Sequence, residues 1–479
     1  MLRSAQKTQL KEVSRTKSIY FMTWRWHFYA GLFVIPFMIM LSITGLVMLF
    51  DDEIELTRYE TMLKVVPQEQ TVPVSVQLEA VKKAYPHFSV TQFVPAKTEH
   101  LANRFSIKSE DGRSLIVAVN PYTAELQGTI NRADSIYELM NDIHGTLLIG
   151  KLGDLLIETS ASLGILLLIS GLYLWLPRDN ASRAGFLKVR VTQGTRILLR
   201  DLHANIGGGL SLVLLFFLVS GLSWTGIWGS KLVQAWNTFP TYYTWGEKPE
   251  STLIHKDLNH GSTEEIPWNL ELTVVPESKV TSVHDHSKMD ADASYSGGHD
   301  AVPIDKIVLK AQEMGFTGYK VFLPSSETGV YTVSANSMGG DISDPRRDRT
   351  SHFDQYSGHL LMDVTWQDYS WFAKFMAAGT SLHQGDVSIV NKILNIVFCL
   401  AFIFVSVSGV VMWWLRRPSR SKSLGAPPQF QHEGIWKLGL GTLILICIAF
   451  PVGGFVIVSV LALDWLLFNR IEKLKAAIN

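Results

Sequence analysis

The chain has 479 residues, 47% hydrophobic and only 18% charged, below the roughly 25% charged share usual for soluble domains. Its 43 Lys and Arg balance 43 Asp and Glu, which argues against nucleic acid as a partner, since a phosphate backbone calls for a basic surface. The two cysteines, Cys399 and Cys447, both lie inside apolar runs, so a disulfide framework is excluded. Apolar residues gather at 28–50, 155–176, 206–228, 393–415 and 436–468, and a run of about 20 crosses a bilayer as a helix.

Residues 1–25 carry Arg3, Lys7, Lys11, Arg15, Lys17 and Arg25 against one acid, Glu12, and are expected in the cytoplasm by the positive-inside rule. The first span is predicted at 26–50. No small-residue cleavage site follows Phe50, so it is read as uncleaved. Residues 51–143 open with Asp51, Asp52, Glu53 and Glu55 and face outward. Within them Gln77–Tyr85 reads as an amphipathic helix, Phe105–Lys108 and Leu115–Val119 as strands, and Asn120-Pro121 as a turn.

Residues 144–177 hold an interfacial segment and the second span. As one straight helix, His144 to Pro177 would measure about 50 Å. Gly150 and Gly153 are therefore expected to break it, with His144 on a separate interfacial helix. The loop 178–202 is cytoplasmic, with Arg178, Arg183, Lys188, Arg190, Arg196 and Arg200. A third span fills 203–229; Gly207-Gly208-Gly209 lies inside it and follows no strand, so it is no dinucleotide loop.

The second outward domain, 230–382, has its excess length at about 250–300. Helix is predicted at Ile304–Met314 and strands at Tyr319–Leu323 and Val330–Ser334. An interfacial segment and fourth span occupy 383–415, with His383 before Gly385, and a cytoplasmic linker, 416–435, carries Arg416, Arg417, Arg420 and Lys422. The last run, 436–468, is too long for one simple span, and Pro451, Gly453 and Gly454 make it a hairpin or broken helix. A cytoplasmic tail, 469–479, contains Arg470, Lys473 and Lys475. The fold class is thus an α-helical membrane bundle of four core spans plus a C-terminal hairpin or broken helix, with two outward α+β domains.

The spans repeat. His27 precedes Gly45 by 18 residues and His203 precedes Gly221 by 18, with Gly31 and Gly207 four after each histidine. Ser170-Gly171 with Trp175 and Pro177-Arg178 matches Ser408-Gly409 with Trp413, Trp414 and Arg417-Pro418. Both copies run the same way, a parallel duplication of span, outward domain, span.

Each copy carries two of these histidines, His27 and His203 at one level, His144 and His383 at the other. A lone interfacial histidine is usually a polar anchor; four at repeat-equivalent positions favour ligands. Facing imidazoles on neighbouring helices suit the two axial positions of haem. Gly31 and Gly207, one turn from their histidines, would leave room for the ring, and Arg25 and Arg200 near the interface would meet its propionates.

Trp26-His27-Phe28-Tyr29-Ala30-Gly31, Val119-Asn120-Pro121-Tyr122-Thr123-Ala124-Glu125-Leu126 with Gly128, His144-Gly145-Thr146-Leu147-Leu148 with Gly153, Pro177-Arg178, Leu202-His203 and Ser381-Leu382-His383 together resemble the PepSY-associated transmembrane proteins. Phe450-Pro451-Val452-Gly453-Gly454 looks similar as well. That family includes inner-membrane ferric-siderophore reductases of Gram-negative bacteria. The resemblance implies two periplasmic PepSY-like modules, each a helix on a small antiparallel sheet, b-type haem on transmembrane histidines, and electron transfer to a periplasmic acceptor. Two haems are expected, with one haem and two structural histidines left open. Phe353-Asp354-Gln355-Tyr356-Ser357-Gly358 departs from the family's Asn-Pro-Tyr-Thr turn.

The insertion holds His284, His286, Met289 and His299, with His255 and His260 upstream; imidazole and thioether suit copper, while the Ser, Asp and Gly around them suit a solvated loop. The expected function is a haem-bearing inner-membrane reductase of a periplasmic metal complex, ferric siderophore first and Cu(II) second, fed by a quinol or flavoprotein. The rivals are a metal-complex permease and a non-enzymatic module binding a periplasmic partner.

Overall fold

Backbone polar groups cannot go unpaired in hydrocarbon, so apolar runs of this length close their hydrogen bonds within themselves as helices. A computed structural model of the chain bears this on every run. It describes residues 2–177, 183–233, 251–259, 265–278, 301–417, 424–427 and 437–463. Arg178, His260, His284, His286, Met289, His299, Arg420, Lys422, Arg470, Lys473 and Lys475 lie outside the described residues.

In chain order come α1 (Leu2–Met48), α2 (Asp51–Arg58), α3 (Glu60–Leu63), α4 (Val74–Ala84), β1 (Phe88–Val94), β2 (Asn103–Ser109), β3 (Ser114–Val119) and β4 (Leu126–Asn131). Then follow α5 (Ile136–Thr146), α6 (Lys151–Trp175), α7 (Thr195–Gly209), α8 (Ser211–Leu222), α9 (Ile304–Glu313), β5 (Lys320–Phe322), β6 (Val330–Ala335), β7 (Arg349–Asp354) and β8 (Leu360–Thr365). The chain continues with α10 (Trp371–Gln384), α11 (Ile389–Arg416), α12 (Lys437–Ala449) and α13 (Pro451–Leu463). Two compact units result, one of residues 1–46, 142–236 and 393–479, the other of 47–141 and 237–392.

In the first unit three described helices are long and apolar enough to cross a membrane: Lys17–Met48 of α1, α6 and α11. Only as a pair do α7 and α8 reach that length, and they are bent by 59° at their break, as a broken span or a re-entrant loop would be. The third span is therefore not the single run expected over 203–229. Its break falls at Leu210, after the glycines, and a Cβ on Gly208 would lie 2.3 Å from the Trp175 ring. Gly208 thus lets the indole rest on the helix backbone, and Trp175 Nε1 donates to Asn205 Oδ1 at 3.0 Å. The first helix also begins well before residue 26, reaching back to Leu2.

At the center of the unit, α6 buries a stretch of small residues, Ser160, Ala161, Ser162 and Gly164. Leu218 of α8 lies 3.1 Å from a Cβ built on Gly164, and a Cβ on Gly453 would meet Ser162 at 2.4 Å. Small residues let helices approach closely where hydrocarbon offers no hydrophobic drive. In the last run α12 and α13 meet at Phe450, so the run is broken there among the described residues.

The segment before α6 turns through Leu147, Leu148 and Gly150, all at positive φ (54°, 60° and 61°). Gly153, expected to help break the helix, is inside α6 instead. A Cβ there would sit 1.6 Å from the Thr146 carbonyl oxygen, so it admits the end of α5.

The second unit is built on one antiparallel sheet in the order β4-β3-β2-β1-β5-β6-β7-β8. The two modules expected as separate domains are therefore one: β1 pairs β5 through Gln92–Phe322 and Phe93–Val321, and Leu323 N donates to Thr91 O at 2.9 Å. Alternating residues send Phe93, Phe105, Val117, Tyr331, Val333 and Phe353 into a single core with Leu78 and Val81 of α4 and Ile304 and Ile307 of α9. Asp305 joins the two helices by accepting from Val74 N at 2.6 Å, at the start of α4.

The departing turn keeps the geometry of its counterpart. Asn120 Oδ1 accepts from Tyr122 N at 2.9 Å, and Asp354 Oδ1 accepts from Tyr356 N at 3.0 Å. Ala124 and Gly358, four residues on, both have positive φ, 58° and 69°. Either acceptor side chain builds this turn.

Candidate functional site

His27 sits on α1, and its Nδ1 faces α6. That nitrogen lies 3.1 Å from the Leu167 carbonyl and 3.1 Å from Ser170 Oγ. His203 on α7 does the same with α11: Nδ1 is 3.0 Å from the Val405 carbonyl and 3.0 Å from Ser408 Oγ. Each serine donates to the same carbonyl, Ser170 to Leu167 and Ser408 to Val405. A carbonyl can only accept, so both rings carry hydrogen on Nδ1 and an unprotonated Nε2.

The two rings stand with centres 6.4 Å apart and planes at 85°. Neither Nε2 has a hydrogen-bond partner among the described residues. Both imidazoles need room, and two glycines make it. A Cβ on Gly171 would lie 3.0 Å from His27 Cε1, and one on Gly409 3.5 Å from His203 Cε1.

A Cβ built on Gly31 would lie 3.5 Å from Leu167, and one on Gly207 3.8 Å from Val405, both ordinary van der Waals distances. Arg25 donates to the Pro427 carbonyl and, at 2.8 Å, to Tyr29 OH. Arg200 binds Asp201 at 3.0 Å, where Arg190 also lands at 2.8 Å. Arg416, which sequence reasoning placed only in the linker, lies over Trp24 at 4.9 Å and Phe28 at 5.5 Å, beside His27 in the chain.

His144 ends α5, and its Nδ1 is 2.8 Å from Thr44 Oγ1, with Gly45 alongside. His383 lies in the last turn of α10, which Gly385 caps in the left-handed conformation at φ 87°. The first belongs to the first unit and the second to the other. Among the described residues no group of three or more His, Cys, Asp or Glu could hold a metal ion.

Two carboxylates inside the apolar run of α6 went unread. Glu158 accepts from Ile227 N and Trp228 N at 3.1 and 3.2 Å, and Asp154 from Gly226 N at 3.0 Å. They satisfy backbone donors just past the end of α8. Their spacing of four within an apolar run was the available signal. Ser170 and Ser408 could also have been found, since both precede the repeated glycines.

In the second unit a cleft of about 240 Å³ is lined by Phe316, Trp366, Arg346, Arg347 and Arg349. Asp344 holds Arg346 and Asp363 holds Arg349, while Arg347 donates to Thr317 Oγ1 at 3.0 Å.

Apolar membrane-length helices carrying a half-buried histidine pair, together with an antiparallel sheet domain, define an integral membrane protein. The model of the PepSY-associated TM region matches residues 24–416, and the chain belongs to that family. No curated protein matches it.

Proposed function

We propose that this protein is a multi-pass inner-membrane reductase that holds b-type haem and passes electrons to a metal complex on the periplasmic side, a ferric siderophore first and Cu(II) second. The observation that carries the reading is the His27–His203 pair, with centres 6.4 Å apart and both Nε2 atoms unengaged. Two imidazoles on opposite sides of one metal ion would have centres about 6.2 Å apart, from about 2 Å per metal–nitrogen bond and about 1.1 Å from nitrogen to ring centre. The residues present fit the group.

The chain's own contribution is ligation and orientation. The Leu167 and Val405 carbonyls fix the tautomer that leaves Nε2 basic, the usual arrangement behind a metal-bound imidazole. Ser170 and Ser408 hold the same nitrogen from the side, and Gly171 and Gly409 let each ring lie against the neighbouring helix. Bound haem supplies reversible one-electron chemistry.

His144 and His383 are assigned to a second haem, Thr44 orienting His144. The parallel duplication and four-span core are supported by the matched Ser-Gly pairs under His27 and His203 and by the matched Asn120 and Asp354 turns. Positive charge in the first half of α1 and after α11 supports a cytoplasmic N-terminus and periplasmic sheet domain. The Arg-lined cleft with its aromatic walls suits an anionic complex, and a quinol or flavoprotein would donate the electrons.

The test is a reduced-minus-oxidised spectrum of protein purified after expression with ample haem supply. A b-type band is expected, and His203→Ala should reduce the haem-to-protein ratio to about half. Colourless wild-type protein would overturn the reading.

A further inference from the structure

We propose that His255 and His352, in the second unit, form an acid-operated latch: while neutral they share one hydrogen and pin residues 251–259 and 265–278 to the sheet, and an added proton releases them.

The geometry fixes every hydrogen in the pair. The two Nε2 atoms are 2.9 Å apart, with ring centres at 4.9 Å. His255 Nδ1 lies 2.9 Å from the Thr273 carbonyl and 2.8 Å from Thr273 Oγ1, whose own hydrogen goes to the Leu270 carbonyl at 2.6 Å. His255 is therefore Nδ1–H, with a bare Nε2. His352 must then donate from Nε2, which leaves its Nδ1 to accept from Thr332 Oγ1 at 2.9 Å. The chain Thr332, His352, His255, Thr273 is satisfied from end to end with both rings neutral.

One more proton breaks it, because two Nε2–H groups cannot bond each other. The charge would also be stranded, since the rings are 1% and 0% exposed. The charged groups on the surrounding elements are engaged elsewhere. On the segment Asp257 accepts from Ile254 N and Glu271 from the Asn259 amide, while Lys256 adds like charge. Asp354 of β7 caps its turn, Arg349 of β7 and Asp363 of β8 bind each other, and β6 has no charged residue. None of these carboxylates acts on either imidazole.

Burial pushes His255 down to about 4, and burial with the neighbouring ring holds His352 well below the ordinary range. Both rings are thus neutral when closed and titrate near 6.5 when released. Closed-state stability is present above about 6.5 and is lost as pH falls toward 4. Besides the imidazole bond, Ser278 fastens the segment, its N to the Thr328 carbonyl, its Oγ to the Gly329 carbonyl, and its Oγ again to Gln355 N.

The experiment is hydrogen exchange by mass spectrometry on the full-length protein in nanodiscs from pH 7.5 to 4.5, corrected for intrinsic rates. Protection of 251–259 and 265–278 is expected to fall with pH, steepening toward about 100-fold per unit as two protons are taken up. In the His255→Leu/His352→Met double variant protection should no longer fall on acidification. Unchanged wild-type protection, or an unchanged slope in the double variant, would overturn the latch. If the variant does not fold, exchange at the imidazole C2 position of wild-type His255 and His352 decides. A titration midpoint near 6.5 in the closed protein refutes it, and protection until the segment opens supports it.

Discussion

In the first unit the rings of His27 and His203 stand 6.4 Å apart at their centres; in the second, those of His255 and His352 stand at 4.9 Å. The first pair is half-buried and the second fully buried, and in both a carbonyl engages a ring nitrogen, at Leu167 and Val405 in one and at Thr273 in the other. What differs is the remaining nitrogen. In the second unit each Nε2 is the other's partner, and nothing can enter without breaking that bond. In the first the extra 1.5 Å leaves both lone pairs unspent (6.4 less 4.9). Spacing, together with a fuller burial of the second pair, separates a closed imidazole pair from one open to a third body.

The largest expected effect comes from removing a ring. His27→Ala should lose about half of the bound haem of a two-haem protein, read by haem-to-protein ratio, and His255→Ala should leave that ratio unchanged. Equal losses would erase the distinction between the pairs. Next come the glycines beside the open pair. Gly171→Ala puts a methyl 3.0 Å from His27 Cε1 and should weaken haem retention several-fold, whereas Gly409→Ala, at 3.5 Å from His203, should be tolerated.

Asp348 sharpens the pH side of the comparison. Burial pushes its carboxyl up to about 7, so its contribution is present at low pH and lost as pH rises through 7, opposite in sign to the histidine latch. Asp348→Asn keeps an acceptor for Ser337 N, and the stability it adds to the second unit should grow by about 2–3 kcal/mol between pH 5 and pH 8, followed by denaturant titration. The smallest effect is Ser408→Ala. It removes one contact to His203 Nδ1 and leaves the Val405 carbonyl, so about 1 kcal/mol and a slight change in haem potential are expected by redox titration.

Elements governed by local pattern were legible in the residues. The amphipathic stretches near 77–85 and 304–314 are α4 and α9, and Phe105–Lys108 and Leu115–Val119 lie within β2 and β3. Strand β7 was not legible, because Thr350, His352 and Asp354 are buried along with Phe353, so hydrophobic alternation has no contrast to show. The β1–β5 pairing joins residues some 230 apart in the chain, and no local signal encodes such a contact. At the candidate site the histidines announced themselves by repetition, but their surroundings did not. Gly31 and Gly207 share a helix with the imidazoles, while the glycines that touch the rings, Gly171 and Gly409, come from other helices. His352 had no repeat partner and no motif to mark it.

The seam between β1 and β5 has a consequence for biosynthesis. When the ribosome has delivered residues up to Asn131, β1–β4 can assemble, but the far side of β1, Phe88-Ser-Val-Thr-Gln-Phe-Val94, still lacks its neighbour. Its partner emerges only after α6, α7 and α8 have been made. For that interval the nascent chain carries an apolar strand edge able to recruit other chains, and a chaperone that shields such edges would be most useful then.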